Sequence, residues 1–354
     1  MSDTTGPRGA GRIAWIDTAR GITMIMVVLL HTDVVAEAVG RASLPVTLFN
    51  SMLFPMRMPM FFLVAGLLAA GLLRRSAGEV LRRRVLHYAW LYALWFALYA
   101  LLHRWVMGSF GPPEFRAYYN HTGTVPEALL VTWNNVWFLY ALMLFFAVAL
   151  AIRRLPLAAQ GAIALLLALP GCFQLGAEYG LPVIDRFYHF PYFILGILAT
   201  APLRAAVPKL GRVRVLLPLL LAWLGLAAGA HVLRILRDPL VIATLSLLAV
   251  PAGLGMAAWL ADRLPRLAAP LQVIGRNTLG IYVLHTVTLR PLLTWWATTD
   301  IPGILAIPVL TLAALGLALA LGKVLEPVPF LFGLPRLGLA GPAPARAAQR
   351  GAEG

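Results

Sequence analysis

Long apolar runs, separated by short polar and basic stretches, dominate this sequence. Ten runs are long enough to cross a bilayer core of about 30 Å as α-helices. They lie near residues 13–32, 46–73, 85–102, 133–152, 157–175, 187–203, 214–234, 239–261, 276–296 and 303–323. The run near 187–203 is the weakest, because it is short and begins with His189 and Pro191. The pattern predicts an all-α polytopic membrane protein with about ten transmembrane helices in one bundle.

Composition supports this class. Hydrophobic residues make up 60% of the chain and charged residues 12%, and the mean hydropathy is +0.82. Soluble domains carry about 25% charged residues. The formal net charge is +15, but the basic residues lie mostly in loops between apolar runs and form no basic domain. We therefore expect the lipid bilayer, and no nucleic acid, as the partner of this charge.

The basic loops predict the orientation. Most of the 29 lysines and arginines fall on one side of the bundle, in both tails and near residues 74–84, 153–154, 204–214 and 263–276. The positive-inside rule then places both termini in the cytoplasm of a multi-pass protein of the cell membrane. We expect a polar tail at 1–11, a transmembrane domain at 12–325 and a disordered tail at 335–354. The 103–132 loop faces outward as a lid or acceptor entrance.

The first apolar run holds three ionisable residues, Asp17, Arg20 and His31. Eleven residues of helix turn through about 1100°, or three turns plus roughly 20°, so Arg20 and His31 share a face about 16 Å apart along the axis. Asp17 falls on the same face. Charged groups in a membrane helix are costly and are functional candidates by default. The alternatives are an Asp17–Arg20 pair that only snorkels at the interface and a His31 that is merely hydrogen-bonded.

Further basic residues follow. Arg57 lies between Pro55 and Pro59 and needs a backbone or substrate partner. The loop at 74–84 is the densest charge cluster and includes Arg75, Arg82 and Arg84. The sequence favours lipid headgroups as the partners of these side chains. The alternative is a phosphate clamp, because guanidinium forks match phosphate oxygens.

Two later runs carry polar side chains at helical spacing. Asn134 and Trp137 begin the fourth run, where they serve as a helix cap and an interfacial anchor or as substrate contacts. Tyr282 and His285 lie three residues apart on one face of the ninth run. Cys172 is the sole cysteine, which rules out an intramolecular disulfide and a thiolate cluster. We expect neither a metal site nor a bound cofactor.

Four stretches together resemble the acyltransferase 3 family of integral membrane acyltransferases. They are Ile16–Gly21 with the arginine–histidine spacing to His31, Arg57–Gly66, Val136–Leu139 and Gly275–His285. The resemblance covers about residues 12–323. Ala65 departs from it, because the family usually has a small hydroxyl residue there.

The resemblance implies transfer of an acyl group, most often acetyl or succinyl, from the co-substrate acyl-CoA to a hydroxyl of a glycan, lipid-linked sugar or small molecule. It carries functional roles over to Arg20 and His31. We expect His31 to be the general base, with Asp17 and Arg20 also catalytic. Arg75, Arg82 and Arg84 would bind acyl-CoA, and the substrate would contact a further set: Arg57, Asn134, Trp137, Tyr282 and His285. The alternative is a transporter or exporter of a small amphiphile, and the sequence does not predict the oligomeric state.

Overall fold

A computed structural model describes residues 13–102, 136–178 and 181–335, and this part of the chain is helical with no β-strand. Within these ranges, thirteen helices form the fold. They are α1 (Ala14–Ala38), α2 (Leu44–Met52), α3 (Phe54–Leu73), α4 (Ala77–Leu102), α5 (Trp137–Ile152), α6 (Leu157–Cys172), α7 (Ile184–Leu198), α8 (Thr200–Leu210), α9 (Val213–Val232), α10 (Pro239–Arg263), α11 (Pro265–Arg276), α12 (Thr278–Ala297) and α13 (Gly303–Val324). Single turns lie at Leu175–Glu178 and Pro329–Leu331.

The all-α membrane class is confirmed, whereas the predicted count of about ten spans is not. Six described helices are long and apolar enough to cross a membrane: α1, α3, α4, α9, α10 and α13. The pair α7 and α8, bent by 94°, brings the count to seven. Helices α5 and α6 have 16 residues each, which is about 24 Å and short of a typical core. Helix α12 has 20 residues, but its threonines, His285 and Arg290 lower its mean hydropathy.

Two predicted runs are broken in the structure. The run at 46–73 is two helices, because Leu53 ends α2 and Pro55 stands in the first turn of α3, where a missing N–H is tolerated. The run at 187–203 bends at Ala199, between α7 and α8. The predicted tails (1–11 and all but the first residue of 335–354) and the 103–132 loop lie outside the described residues.

Small residues let the helices around α1 and α3 approach closely. A Cβ at Gly275 in α11 would lie 1.9 Å from the Asp17 carbonyl oxygen in α1. A Cβ at Gly66 in α3 would lie 2.0 Å from the Phe193 carbonyl oxygen in α7. Such backbone contact is the usual way to pack helices where lipid gives no hydrophobic driving force. The contact at Gly275 sets the position of α1, and therefore of its polar side chains, relative to α11.

Helix α12 runs parallel to α1, and each end of the pair is joined by an arginine. Near the start of both helices Arg20 Nη2 donates to the Thr278 hydroxyl at 2.5 Å. Beyond the end of α1, Arg41 donates to the carbonyls of Trp296 and Thr299, both at 2.6 Å. The bundle therefore has an Arg20 end and an Arg41 end.

Candidate active site

His31 and Arg57 line one cavity of about 320 Å³ inside the bundle. Helix α1 contributes His31 and α3 contributes Arg57, while α5, α6, α7, α10 and α12 contribute the remaining lining residues. The other polar and aromatic lining residues are Phe54, Phe61, Trp137, Asp185, Arg186, Tyr188, His189 and Tyr282. We call this space the histidine cavity. Three of the polar residues singled out in the sequence line this cavity: His31, Arg57 and Tyr282.

A second histidine packs against His31. The ring centroids of His31 and His285 lie 5.0 Å apart at 48°. The His285 Nδ1 lies 2.7 Å from the Tyr282 carbonyl oxygen, and because a carbonyl only accepts, Nδ1 carries the hydrogen. The buried Nε2 of His285 has no hydrogen-bond partner within the described ranges. In the neutral ring it therefore holds a bare lone pair.

Arg57 is held by polar residues of α1 and α2. It is 1% exposed, and its Nη2 donates to the Asn50 carbonyl at 3.2 Å and to the Asn50 side-chain oxygen. The Asn50 Nδ2 in turn donates to Asp33 Oδ2 at 2.8 Å, and the Thr47 hydroxyl donates to Asp33 Oδ1 at 2.9 Å. Arg57 thus has a backbone partner, one of the two alternatives left open by the sequence.

A second cavity, of about 370 Å³, lies toward the Arg20 end of the bundle. Arg20, Arg84 and Thr278 line it together with apolar side chains of α3 and α5. Arg84 packs its guanidinium over Phe146 at 5.7 Å, and its buried Nε has no hydrogen-bond partner among the residues described. We call this space the arginine cavity.

Phe61 and Tyr282 line both cavities and form the wall between them. Phe138 completes this wall by stacking on Phe61, with centroids 4.6 Å apart and planes at 5°. The backbone N–H of Phe138, one of the unpaired donors in the first turn of α5, donates to the Tyr282 hydroxyl at 3.0 Å. Two polar chambers are thus separated by three aromatic side chains.

The arginines expected to bind acyl-CoA separate into two groups. Residues Leu81–Val85 form a π-helical turn within α4, a local irregularity that is common at functional sites, and Arg84 at this turn reaches the arginine cavity. Arg75 instead lies 2.8 Å from Glu79 and is half exposed. Arg82 is exposed, and neither it nor Arg75 lines this cavity.

The remaining predicted site residues are also placed, with one exception. Asp17 is buried and lies 3.7 Å from Arg20, on the same helix. Trp137 lines the histidine cavity, where the Arg186 guanidinium lies 4.8 Å from its ring. Asn134 lies outside the described residues.

Sequence reasoning missed six polar residues at or beside the histidine cavity: Asp33, Asn50, Asp185, Arg186, Tyr188 and His189. Asp33 and Asn50 carried a usable signal, because both stand in or beside apolar runs where polar groups need partners. Arg186 and His189 stand at the start of α7, where the sequence indicated only that the apolar run is weak. No group of His, Cys, Asp and Glu suited to a metal ion occurs in the described part of the chain.

These features define a class of protein: a helical membrane bundle in which a cavity lined by a buried histidine adjoins a cavity lined by arginines. A family model described as an acyltransferase domain, acyltransferase 3, matches residues 13–323. The chain therefore belongs to the acyltransferase 3 family and is a membrane acyltransferase.

A curated relative supports the assignment. The inner membrane protein YcfT of Escherichia coli (strain K12) is 25% identical over 294 residues, covering 77% of this chain and 78% of that protein. No solved structure matches the chain.

Proposed function

We propose that this protein is an O-acyltransferase that moves an acetyl or succinyl group from acyl-CoA to an acceptor hydroxyl, with His31 as general base. One observation supports this proposal above all: the arginine cavity and the histidine cavity adjoin across the wall of Phe61 and Tyr282. A donor with a charged head and a long thin arm fits two chambers in series, one cationic and one holding a base.

The arginine cavity is the proposed donor entrance. Arg20 and Arg84 supply guanidinium groups suited to the phosphates of CoA, and Thr278 fixes the Arg20 side chain through its hydrogen bond. The pantetheine arm would pass the aromatic wall and bring the thioester to His31. Arg75, which precedes α4, and Arg82, on the exposed side of α4, would act on the headgroup or on lipid phosphates.

The chemistry follows from the neutral imidazole of His31. It takes the proton of the acceptor hydroxyl while that oxygen attacks the thioester carbonyl carbon. The tetrahedral intermediate collapses by breaking the carbon–sulfur bond, and the leaving thiolate receives the proton from His31. The products are an ester and the free thiol of CoA. His285 packs on His31 and would hold its ring in place, and Trp137 and Tyr282 would contact the substrate.

The orientation of the bundle supports the same scheme. The Arg20 end carries the basic loop at 74–84, so the positive-inside rule assigns it to the cytoplasm, where acyl-CoA is found. The histidine cavity then lies toward the outer face, where a glycan, lipid-linked sugar or small hydroxyl compound would enter. We place the protein in the cell (inner) membrane with both termini cytoplasmic.

Thiol release tests the proposal. Purified protein in nanodiscs is incubated with acetyl-CoA or succinyl-CoA, with and without a crude glycan and lipid extract, and free thiol is followed for the wild type and for His31→Ala. Acceptor-stimulated release in the wild type, lost in the variant, supports an acyltransferase. Uptake of an amphiphile into proteoliposomes, with no thiol release from either donor, would contradict it and favour transport.

A further inference from the structure

Arg57 is a buried cation with unused hydrogen-bonding capacity beside His31. It is 1% exposed, and both hydrogen bonds that it makes within the described ranges come from Nη2. Its Nε is buried without a partner in that part of the chain. A guanidinium has five N–H donors, and leaving donors of a buried cation unmet is costly. An anionic occupant of the histidine cavity would satisfy them.

The hydrogen bonds that Arg57 donates to Asn50 fix the position of its guanidinium. Asp33 on α1 and Asn50 on α2 are buried and joined at 2.8 Å, and Asn50 accepts from Arg57 on α3. Three helices therefore hold one side chain. The carboxylate of Asp33 is two residues after His31, so the same turn of α1 that presents the base anchors the chain of hydrogen bonds to the cation.

The link from Asp33 through Asn50 orients the Arg57 guanidinium without neutralising its charge in a direct ion pair. The two oxygens of Asp33 accept from Asn50 and Thr47, and in the part of the chain that the structure describes no hydrogen bond or ion pair joins Asp33 to Arg57 directly. The amide of Asn50 stands between the opposite charges, so Arg57 keeps its positive charge available to the cavity. A direct ion pair would have occupied the guanidinium fork.

We propose that Arg57 is a catalytic residue that stabilises the oxyanion of the tetrahedral intermediate, and that Asn50 and Asp33 are its positioning residues. The inference rests on the proposed acyl transfer. When the acceptor oxygen bonds to the thioester carbon, the carbonyl electron pair moves to oxygen, and the guanidinium donates to that oxyanion. As the carbon–sulfur bond breaks, the carbonyl re-forms and the hydrogen bond weakens. Arg57 neither gains nor loses a proton.

Carbethoxylation of His31 by diethyl pyrocarbonate tests this role without needing the acceptor. The imidazole attacks a carbonyl carbon of the reagent and forms a tetrahedral oxyanion inside the cavity that Arg57 also lines. Collapse of this intermediate expels ethyl carbonate and leaves a carbethoxy group on the ring. Mass spectrometry of the His31 peptide gives a rate for this site among the seven histidines. Rates are compared on the pH-independent plateau, where His31 is neutral in every variant, for the wild type and for Arg57→Gln, Arg57→Lys and Asn50→Leu.

Arg41→Gln is the matched control, because Arg41 is also a partly buried, hydrogen-bonded arginine near the end of α1 but lines neither cavity. Loss of one oxyanion donor costs about 10²–10³ in rate in enzymes, so Arg57→Gln should slow the plateau by at least about tenfold. Asn50→Leu should slow it less, Arg57→Lys should retain part of the rate, and Arg41→Gln should leave it within about twofold.

Three results would overturn the inference. The first is an unchanged plateau in folded Arg57→Gln. The second, decisive if that variant does not fold, is an unchanged plateau in Arg57→Lys and Asn50→Leu. The third is a wild-type His31 that reacts no faster than N-acetylhistidine. Protection of His31 by CoA is measured in parallel: its absence contradicts the donor scheme alone, so the two proposals fail separately.

Discussion

The ring of His31 lies 5.0 Å from that of His285, and the two come from opposite ends of the chain. The Tyr282 carbonyl fixes the hydrogen of His285 on Nδ1, which leaves the Nε2 lone pair buried near His31. Of this pair, His31 lines the cavity proposed for transfer, and His285 packs behind it without lining that cavity.

Replacing His285 tests whether it supports His31. His285→Ala should lower kcat by about 10²-fold, because a misplaced base loses much of the contribution of general base catalysis. The KM for acyl-CoA should change little, since His285 does not line the arginine cavity. Steady-state thiol release measures both constants. His231→Ala, an exposed histidine on α9, is the control, and equal activity in the two variants would contradict the role.

Thr278 provides a milder test of the donor entrance. Thr278→Val removes the hydroxyl that accepts from Arg20, so Arg20 loses its fixed position. The KM for acyl-CoA should rise at least about tenfold, since a hydrogen bond to a charged group contributes about 1.5–3 kcal/mol. Thr278→Ser should restore the wild-type value. Thr311→Val removes a buried hydroxyl that lies outside both cavities. A similar rise in KM there would mean that the effect is a general loss of packing.

The aromatic wall should control the length of the acyl group. Phe61→Leu removes part of the ring that separates the two cavities, so the ratio of kcat/KM for butyryl-CoA over acetyl-CoA should rise several-fold, as methylene selectivity in apolar pockets is about 10–200-fold. Phe193→Leu, in the same aromatic cluster but lining neither cavity, should leave the ratio unchanged. An unaltered ratio in Phe61→Leu would place the acyl group elsewhere.

Close helix contact predicts a stability difference between two glycines. Gly275→Ala should destabilise the fold by about 1–3 kcal/mol or more, because its Cβ meets the Asp17 backbone and helices must move apart. Gly225→Ala, at an open position on α9, should be neutral or stabilising by up to about 1 kcal/mol, since alanine favours helix. Thermal unfolding in detergent measures both. Equal melting temperatures would show that α1 and α11 pack more loosely than described.

Labelling tests the assigned orientation. In a Cys172→Ser background, Ser76→Cys lies on the basic loop at the Arg20 end, and Asp300→Cys follows α12 at the Arg41 end. A membrane-impermeant maleimide added to intact cells should label Asp300→Cys and reach Ser76→Cys only after permeabilisation. The reverse pattern would put the arginine cavity outside, away from acyl-CoA.

Helical periodicity predicted the all-α class and the depths of Arg20 and His31, because both follow from the geometry of one helix. Arg20 reaches the arginine cavity and His31 the histidine cavity. Contacts between distant segments were not predictable in this way. The meeting of His31 with His285, and the link from Asp33 through Asn50 to Arg57, depend on how α1, α2, α3 and α12 pack.

The number of membrane spans also could not be predicted from the hydrophobic pattern of the sequence. Apolar length alone does not show that Pro55 begins a new helix, that α7 and α8 meet at 94°, or that α5 and α6 stop at 16 residues. Backbone breaks of this kind are tolerated at membrane depth where neighbouring helices satisfy the freed groups.

His31 is the proposed general base of acyl transfer, and the movement of a labelled acyl group tests this role most directly. [1-¹⁴C]Acetyl-CoA is incubated with nanodisc-embedded protein and a crude acceptor extract, and base-labile label in the acceptor fraction is counted. We expect transfer by the wild type and by His231→Ala, and none above background by a folded His31→Ala. Equal labelling by His31→Ala and the wild type would contradict it.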